Sequence, residues 1–346
     1  MKGKMHRRGH AGIKATSFYL PSGKLTNEQL AREFGDWDAR KIMEKTGIAV
    51  RSIAAADECS SDLGVAAASR LFETGACAAK EIDFLLFCTQ SPDHFAPATA
   101  CLIQDRLKLR TDCGALDFNL GCSGFVYGLA LAKSLVETSM ASKVLLITAE
   151  TLSKFINLKD RSARTIFSDG AAATLVSSVD SDKELIGPFV FGTDGSGGQE
   201  VGIPAGGLRR PLTPELETEK EDRSGNWRSE RNFYMNGPEV FNFALQTVPM
   251  ALDQLLRKCG LRTDEIDYFV FHQANRFMLD RLRDKLKIPS DKFWIDLEMY
   301  GNTSSSTIPI ALHLARETEA IKVGDKVVLM GFGVGYSWAG AMVSIV

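Results

Sequence analysis

Three residues from distant parts of the chain have the side-chain types that acyl transfer through a thioester requires. Cys122 lies in the motif LGCSGF (120–125), His272 in FHQAN (271–275) and Asn302 in GNTS (301–304). A thiolate is a strong nucleophile, an imidazole can act as a base, and a carboxamide can donate a hydrogen bond to an oxygen that gains charge. We therefore interpret the chain as an enzyme.

The surroundings of Cys122 favour its assignment as the nucleophile. It lies between an apolar run typical of a strand and a run from Ser123 that has no charge before Lys133, as in a buried helix. A cysteine at the start of a helix meets free backbone N–H groups and the positive end of the helix dipole, and both favour the thiolate. Three other cysteines are interpreted instead as small core residues: Cys88, Cys101 and Cys113.

The two partners of the nucleophile are less specific when each is taken alone. His272 follows the apolar run 267–271 and should lie at the carboxyl end of a strand, where α/β proteins build their sites. A core histidine and, for Asn302, a helix cap remain alternatives. Backbone N–H donors for an oxyanion are expected in the C-terminal glycine loop, at Gly333, Val334 and Gly335.

An internal repeat sets the fold class. Residues 81–88 are echoed by 265–272, and residues 142–147 by 325–330, at nearly the same offset. Each half is expected to place a further strand before its central motif, over 117–122 and 296–302, and to close on a small-residue strand, over 171–178 and 339–346. The chain is therefore predicted to be two copies of one α/β unit.

Two helices should lie between the sheets of these units. The runs from Ser123 to Val136 and from Thr303 to Ala315 are apolar around their whole circumference, so each must be buried on all sides. The predicted organisation is a flexible tail over 1–12, a first half over 13–178 with the cysteine, and a second half over 179–346 with the histidine and asparagine. The charged stretch 209–231 is interpreted as a surface excursion, either a solvated loop or the border of a substrate entrance.

Composition limits the partners and the compartment. With 41 basic and 43 acidic residues the net charge is -2, which provides no global field for nucleic acid or an anionic membrane. Seven cysteines without a C-x-x-C pair indicate a reducing, cytoplasmic setting. The five histidines show no metal-ligand spacing, so no metal is expected. The uncharged last twenty residues contain four glycines and are interpreted as two buried strands instead of a membrane anchor.

The Cys122, HQAN and GNTS motifs, with the closing GFGVGYSW, together resemble β-ketoacyl-acyl carrier protein synthase III of the thiolase superfamily. The resemblance implies a five-layered αβαβα fold and a homodimer. It also implies that Cys122 takes an acyl group from acyl-CoA and that the acyl-enzyme then condenses with malonyl-acyl carrier protein. In that family the groups matching His272 and Asn302 hold the enolate formed on decarboxylation, and no metal or redox cofactor is used.

The resemblance also implies binding residues. The CoA site would include Lys45, Arg161 and Asn275, although Lys41 stands where many members have the tryptophan that stacks on adenine, and Trp37 is a possible substitute. The acyl pocket would include Ala96, Phe332 and Met235. Because acetyl-preferring members have phenylalanine where Ala96 stands, a roomier pocket is expected. Docking of an acidic carrier protein would use Arg276, Arg281, Arg283 and Lys287, which could otherwise be an ordinary solvated helix face.

Other enzyme families that use a reactive cysteine fit the sequence less well. A thiolase needs a second cysteine in the terminal glycine loop, and no cysteine follows Cys259. Type III polyketide synthases usually have proline where Val334 stands. A papain-like hydrolase leaves the repeat unexplained. A starter-unit condensing enzyme or acyltransferase of secondary metabolism in the same family, and a non-catalytic partner subunit, remain as alternatives.

Overall fold

Two mixed five-stranded sheets form the body of the chain in the computed structural model, which describes residues 9–346. The strands are β1 (His10–Tyr19), β2 (Gly23–Thr26), β3 (Val50–Ile53), β4 (Phe84–Cys88), β5 (Gly114–Phe118), β6 (Lys143–Glu150), β7 (Gly170–Val179), β8 (Ile186–Thr193), β9 (Val201–Gly202), β10 (Lys220–Glu221), β11 (Trp227–Arg228), β12 (Tyr234–Met235), β13 (Tyr268–Phe271), β14 (Phe293–Trp294), β15 (Lys326–Gly333) and β16 (Ser337–Ser344). The helices are α1 (Asn27–Phe34), α2 (Ala39–Thr46), α3 (Ser60–Glu73), α4 (Thr99–Arg106), α5 (Gly124–Glu137), α6 (Arg161–Arg164), α7 (Gly237–Cys259), α8 (Arg276–Leu286) and α9 (Thr307–Glu317).

The two large sheets have the same topology. The first runs β1-β7-β6-β4-β5, and the second, read in the equivalent direction, runs β8-β16-β15-β13-β14. In each sheet the three strands at one end are parallel, the fourth strand pairs antiparallel with them, and the fifth pairs antiparallel with the fourth. The segments that resemble each other in the sequence form equivalent strands: β4 corresponds to β13, and β6 corresponds to β15. The chain passes from the first sheet to the second between Val179 and Ile186.

The central layer consists of α5 and α9. Helix α5 contacts strands of both sheets, and Phe125, Leu129 and Leu312 are buried in one cluster with residues of β7 and β16. The first turns of both helices carry no charge, which explains why these segments lie between the sheets. The prediction that α5 is buried on all sides is wrong for its second half, because Leu131 is 43% exposed. Helices α3 and α4 cover the outer face of the first sheet, and α7 and α8 lie outside the second. The result is the five-layered αβαβα arrangement that the resemblance implied.

Three predictions about elements need correction. The strand expected over 296–302 is only β14, Phe293–Trp294; the segment after it turns away, and the Glu298 carbonyl accepts hydrogen bonds from the Ala49 and Val50 N–H groups instead. The predicted 303–315 helix begins later, at Thr307, after one tight turn over Ser304–Ser306. Residues 1–8 of the predicted tail lie outside the described residues, and 10–12 already belong to β1, where they pair with β7.

The C-terminal run and the charged stretch have clear positions. The last twenty residues form most of β15 and β16, two adjacent buried strands, and no helix among residues 9–346 has the length and hydropathy to cross a bilayer. The 209–231 stretch contains the small hairpin of β10 and β11. That hairpin borders a large groove on the molecular surface, described below.

Candidate active site

Cys122, His272 and Asn302 line one cavity of about 110 Å³. They are 8%, 2% and 4% exposed, so all three lie out of bulk water. Cys122 comes from the turn before α5, His272 directly follows β13, and Asn302 precedes α9, paired across the halves with Phe167 in an isolated bridge. The fold thus joins one side chain from the first half and two from the second.

The glycine-rich end of β15 makes close contact with the nucleophile turn. A Cβ atom on Gly331 would lie 2.7 Å from the Cys122 carbonyl oxygen, and one on Gly333 would lie 3.0 Å from Cys122 Sγ. Only glycine allows the backbone to come this near. Val334 N–H donates a hydrogen bond to the Cys122 sulfur. Gly333 and Val334 therefore border the reacting atom, whereas Gly335 lies beyond the cavity, against Ser337.

The resting nucleophile is a thiol. Burial raises the pKa of Cys122 to about 12, although hydrogen bonds from Ser304 and from backbone N–H groups act in the opposite direction. The thiolate expected from the helix start is therefore wrong for the free protein, because loss of water outweighs the helix end. A base must take the thiol proton when substrate arrives.

His272 is a neutral imidazole held at one nitrogen. Burial lowers its pKa to about 3, so it is uncharged at neutral pH. Its Nδ1 atom lies 2.7 Å from Thr307 Oγ1, and the edge of Phe332 packs on the ring with centroids 5.7 Å apart. With Nδ1 engaged, Nε2 is the nitrogen left for chemistry in the cavity.

The orientation of Asn302 follows from its hydrogen bond. The Ser304 N–H donates to Asn302 Oδ1 at 2.8 Å. Because the amide oxygen is occupied, the NH₂ group is the end left to donate into the cavity. Ser304 also places its hydroxyl 3.9 Å from Cys122 Sγ. The Gly301–Ser304 segment thus holds the carboxamide as a donor close to the nucleophile.

Two residues of the site, Gln90 and Glu150, were missed by sequence reasoning. Gln90 lines the cavity beside Gly121, and its backbone N–H donates to Glu150 Oε1 at 2.9 Å. Glu150 is fully buried, and burial raises its pKa to about 8, so its neutral acid dominates at pH 7. The second carboxyl oxygen accepts from the Ser91 hydroxyl at 2.8 Å. Glu150 thereby fixes the 89–91 turn that brings Gln90 to the cavity wall.

A groove of about 830 Å³ adjoins the catalytic cavity. Five residues lie in the walls of both: Ile166, Met235, Gly237, Asn275 and Met278. Arg161 and Lys45 also line the groove, together with Trp37, whose ring centroid is 6.0 Å from Arg161 Cζ and 5.7 Å from Lys45 Nζ. The predicted CoA residues therefore line one groove. Lys41 is exposed, and the aromatic rings beside Arg161 are those of Trp37 and of Phe34, whose centroid is 5.6 Å from Arg161 Cζ.

The remaining predicted residues divide between the cavity and the surface. Phe332 and Met235 line the cavity, but Ala96 is exposed and is absent from its walls within one chain. The apolar wall consists instead of side chains that sequence reasoning did not single out: Leu152, Ile166, Phe167, Val201, Phe233 and Val240. They come from separated loops, the short strand β9 and the start of α7, so only the tertiary fold could identify them.

The four predicted docking cations lie on α8 or directly after it. Arg276, Arg281 and Lys287 are exposed, whereas Arg283 is 24% exposed and paired with Asp280 and Asp284. Arg281 packs over the Phe277 ring at 5.2 Å, and Phe277 is itself 49% exposed. An exposed cationic and aromatic surface therefore adjoins the groove.

Comparisons with known proteins agree with this site. Residues 116–195 match the 3-oxoacyl-[acyl-carrier-protein] synthase III family, and residues 256–345 match the C-terminal region of that family. The β-ketoacyl-[acyl-carrier-protein] synthase III of Caldanaerobacter subterraneus is 39% identical over 96% of this chain and 97% of that protein. The chain belongs to the β-ketoacyl-acyl carrier protein synthase III family.

Solved structures of the family have the same fold. A crystal structure of a 3-oxoacyl-(acyl-carrier-protein) synthase III superposes with a TM-score of 0.96 at 50% identity, covering 97% of this chain and all (100%) of that chain. The priming β-ketosynthase of the R1128 polyketide pathway gives 0.85 at 30% identity, covering 98% of this chain and 97% of that one. The predicted synthase III resemblance and its thiolase-like fold are thereby confirmed.

Because Glu150 is a buried acid, the free energy of unfolding of this synthase III family member should depend on pH. Glu150 has its ordinary pKa of 4.5 when unfolded and about 8 when folded. Its contribution is therefore fully present below pH 4.5 and is lost as pH rises through 8. Glu150→Gln removes this titration but keeps a neutral side chain of the same shape. We expect the free energy of unfolding of the parent protein to fall by a few kcal/mol relative to Glu150→Gln from about pH 5 to about pH 8.5.

Urea unfolding of both proteins across this range measures the difference. His272 has the opposite sign, since its depressed pKa favours folding above 6.5 and its contribution is lost as pH falls toward 3. It is present in both proteins and cancels in the comparison. Parallel stability curves for the two proteins would contradict a neutral Glu150.

Proposed function

We propose that the chain primes fatty acid synthesis as a β-ketoacyl-acyl carrier protein synthase III. It moves an acyl group from acyl-CoA to Cys122 and condenses it with malonyl-acyl carrier protein, releasing CO₂ and a β-ketoacyl-carrier protein. The observation that carries this proposal is the single cavity shared by a buried thiol, a neutral imidazole and a carboxamide donor. Curated relatives at 39% and 36% identity have the synthase III name.

The first half-reaction is thioester exchange. The Cys122 thiol proton passes to His272 as the sulfur attacks the acyl-CoA carbonyl, and the CoA sulfur takes a proton as it leaves. Backbone N–H groups of Cys122 and of the Gly333–Val334 segment hold the oxyanion. Both catalytic groups are neutral at rest, so charge forms only when substrate has displaced water.

The second half-reaction needs hydrogen-bond donors instead of a base. The NH₂ group of Asn302 and the Nε2–H of His272 donate to the malonyl thioester oxygen, which gains charge when the carboxylate leaves as CO₂. The resulting carbanion attacks the carbonyl carbon of the acyl-Cys122 thioester. The cysteine sulfur departs as a thiolate and takes a proton from water, which restores the resting thiol. Loss of CO₂ drives the step, so the proposed mechanism needs no metal or redox cofactor.

The groove provides a site for CoA. The Arg161 guanidinium and the Trp37 ring can hold the adenine, while Lys45 offers charge to the phosphates. The Asn275 Oδ1 atom accepts from the Met278 N–H at 2.9 Å, which leaves its NH₂ group for the pantetheine arm. The acyl tail lies against Phe332, Met235 and the apolar wall of the cavity.

Three features support a homodimer that works in the cytoplasm. Strand β5 is the edge of the first sheet, and its Leu116 is 39% exposed. Leu131 on α5 and Phe95 in the loop that contains Ala96 are 43% and 94% exposed. An open apolar edge is normally covered, and a second β5 would extend both sheets. The described cysteines are all free, in agreement with a reducing compartment.

A starter-unit condensing enzyme of secondary metabolism remains a second candidate. The structural likeness to the R1128 priming ketosynthase favours it. Both candidates use the same chemistry and differ in the acyl group and the carrier protein. The acyl-CoA panel below distinguishes them by primer length.

Acylation of Cys122 is the direct test of function. After incubation with CoA esters of increasing chain length, intact-protein mass spectrometry should show one acyl addition, because the thioester is stable once CoA has left. Cys122→Ser should abolish the adduct, and Cys101→Ser, which changes an exposed cysteine, should retain it. Asn302→Ala should keep acylation but lose at least about tenfold in condensation with malonyl-carrier protein.

No Cys122 adduct across the whole panel would reject the transferase and favour a non-catalytic partner subunit. An adduct that survives Cys122→Ser would place the nucleophile elsewhere. Preference for longer or branched esters would support the roomier pocket, and turnover of acetyl-CoA alone would contradict it.

Carrier-protein docking predicts a selective effect on one substrate. Reversing the charge of Arg281 and Lys287 to Glu should raise the KM for malonyl-carrier protein about tenfold, because each exposed cation loses an attraction of about 0.5–1 kcal/mol. The KM for acyl-CoA should stay within twofold. Arg257→Glu is the matched control, an exposed cation of α7 outside the α8 surface. Equal effects of both changes would indicate general charge repulsion and reject docking on α8.

The proposed homodimer predicts the molecular mass in solution and the variant that should dissociate it. Sedimentation equilibrium should give twice the chain mass of 37.8 kDa. Leu116→Lys should shift the protein toward a single chain, because a charge at the centre of an edge strand opposes pairing. Val323→Lys, at an apolar side chain that is 76% exposed elsewhere, should leave the dimer intact. A parent protein that sediments as one chain would contradict the pairing.

A further inference from the structure

The hydrogen bonds around His272 contain one shared proton. Within residues 9–346, Nδ1 of His272 has a single partner, Thr307 Oγ1, at 2.7 Å. The same hydroxyl lies 3.0 Å from the Ser304 carbonyl oxygen, which also accepts the backbone N–H of Thr307. Thr307 is 3% exposed at the first position of α9, so no bulk water replaces these contacts.

One hydroxyl proton can serve only one of these acceptors at a time. If Thr307 donates to the Ser304 carbonyl, its oxygen accepts from Nδ1–H, and Nε2 of the neutral ring carries a lone pair. If the hydroxyl rotates and donates to Nδ1, the ring proton is on Nε2. Nδ1 is hydrogen-bonded in both states, and the Ser304 carbonyl keeps its backbone donor in both.

The two half-reactions require opposite states. A proton acceptor for the Cys122 thiol needs the Nε2 lone pair. A donor to the malonyl thioester oxygen needs Nε2–H. A fixed donor at Nδ1, such as a backbone N–H, would allow only the second state, and a carboxylate would favour only the first or the imidazolium.

We infer that Thr307 is a positioning residue whose rotating hydroxyl stabilises both neutral tautomers of His272, one for each half-reaction. This inference rests on the proposed function. In acyl transfer the Cys122 proton moves to Nε2 while Nδ1–H donates to Thr307; the sulfur–acyl bond forms, the CoA–acyl bond breaks, and the Nε2 proton goes to the CoA sulfur. Before the malonyl thioester binds, Nε2 takes a proton from water in the cavity, and the Nδ1 proton leaves to water when the contact between Nδ1 and Thr307 transiently opens, so the ring neither gains nor loses a proton overall.

The test compares Thr307→Val, which keeps the shape and removes the hydroxyl, with Thr307→Ser, which keeps the hydroxyl. Acylation is followed by mass spectrometry in a single turnover, and condensation is started from the isolated acyl-enzyme. We expect Thr307→Val to slow each half-reaction about tenfold, with the KM for acyl-CoA within twofold, and Thr307→Ser to restore both rates to within about threefold.

A spectroscopic measurement is independent of turnover. In ¹⁵N-histidine-labelled protein, the two His272 ring nitrogens should have shifts averaged between the tautomers in the parent and in Thr307→Ser, and displaced shifts in Thr307→Val. Unchanged shifts and rates in Thr307→Val would overturn the inference. Equal impairment of Thr307→Ser and Thr307→Val would also overturn it, since the hydroxyl would then not be the cause. Failure of the parent protein to acylate Cys122 would instead reject the proposed function, which the nitrogen shifts do not measure.

Discussion

The burial of two largely apolar helices between two sheets is the constraint on which the site depends. Helices α5 and α9 can satisfy their apolar surfaces only by packing between the sheets, where each buried leucine or phenylalanine contributes about 2–3 kcal/mol. Their starts then lie close together in the interior, where Cys122 Sγ is 3.9 Å from Ser304 Oγ. The hydroxyls of Thr148 and Ser306, 2.8 Å apart, join the first sheet to the turn before α9. The position of Cys122 beside Ser304 follows from this packing and does not depend on any direct bond between the catalytic side chains.

The same burial sets the electrostatics of the site. Removal of water raises the pKa values of Cys122 and Glu150 and lowers that of His272, so each group is neutral at rest. An unpaired charge in such a cavity would be costly, whereas a charge that forms on a substrate oxygen meets donors already in place. In the free protein Cys122 is therefore an unreactive thiol. The reactive thiolate exists only when a thioester is present to receive it.

The sequence predicts those features that depend on local pattern. The apolar run at 123–136 becomes α5 almost residue for residue, His272 lies at a strand end, and the echoed segments become equivalent strands. Features that depend on packing were not predictable. No strand forms at 296–302, because the strand of this region, β14, ends at Trp294. The Cys122 side chain is a thiol instead of a thiolate, and Ala96 is absent from the cavity wall of its own chain. Thr307 and Gln90 gain their importance from neighbours that are distant in the chain, and nothing in their local sequence identifies them.

The duplicated fold also explains where specificity can vary. Strands β1 and β8 are equivalent, and so are α3 and α7, so the connections 20–59 and 194–236 occupy corresponding places in the two halves. Neither belongs to the repeated sheets, yet both line the groove, the first through Trp37 and Lys45 and the second through the β10–β11 hairpin and β12. The sheets and central helices fix the reacting atoms, which tolerate little change. The two connections can vary without disturbing that core, and here the first of them brings Trp37 beside Arg161 although Lys41 occupies the expected position. Under the proposed function, recognition of the acyl donor is therefore separable, in this architecture, from the chemistry performed on it.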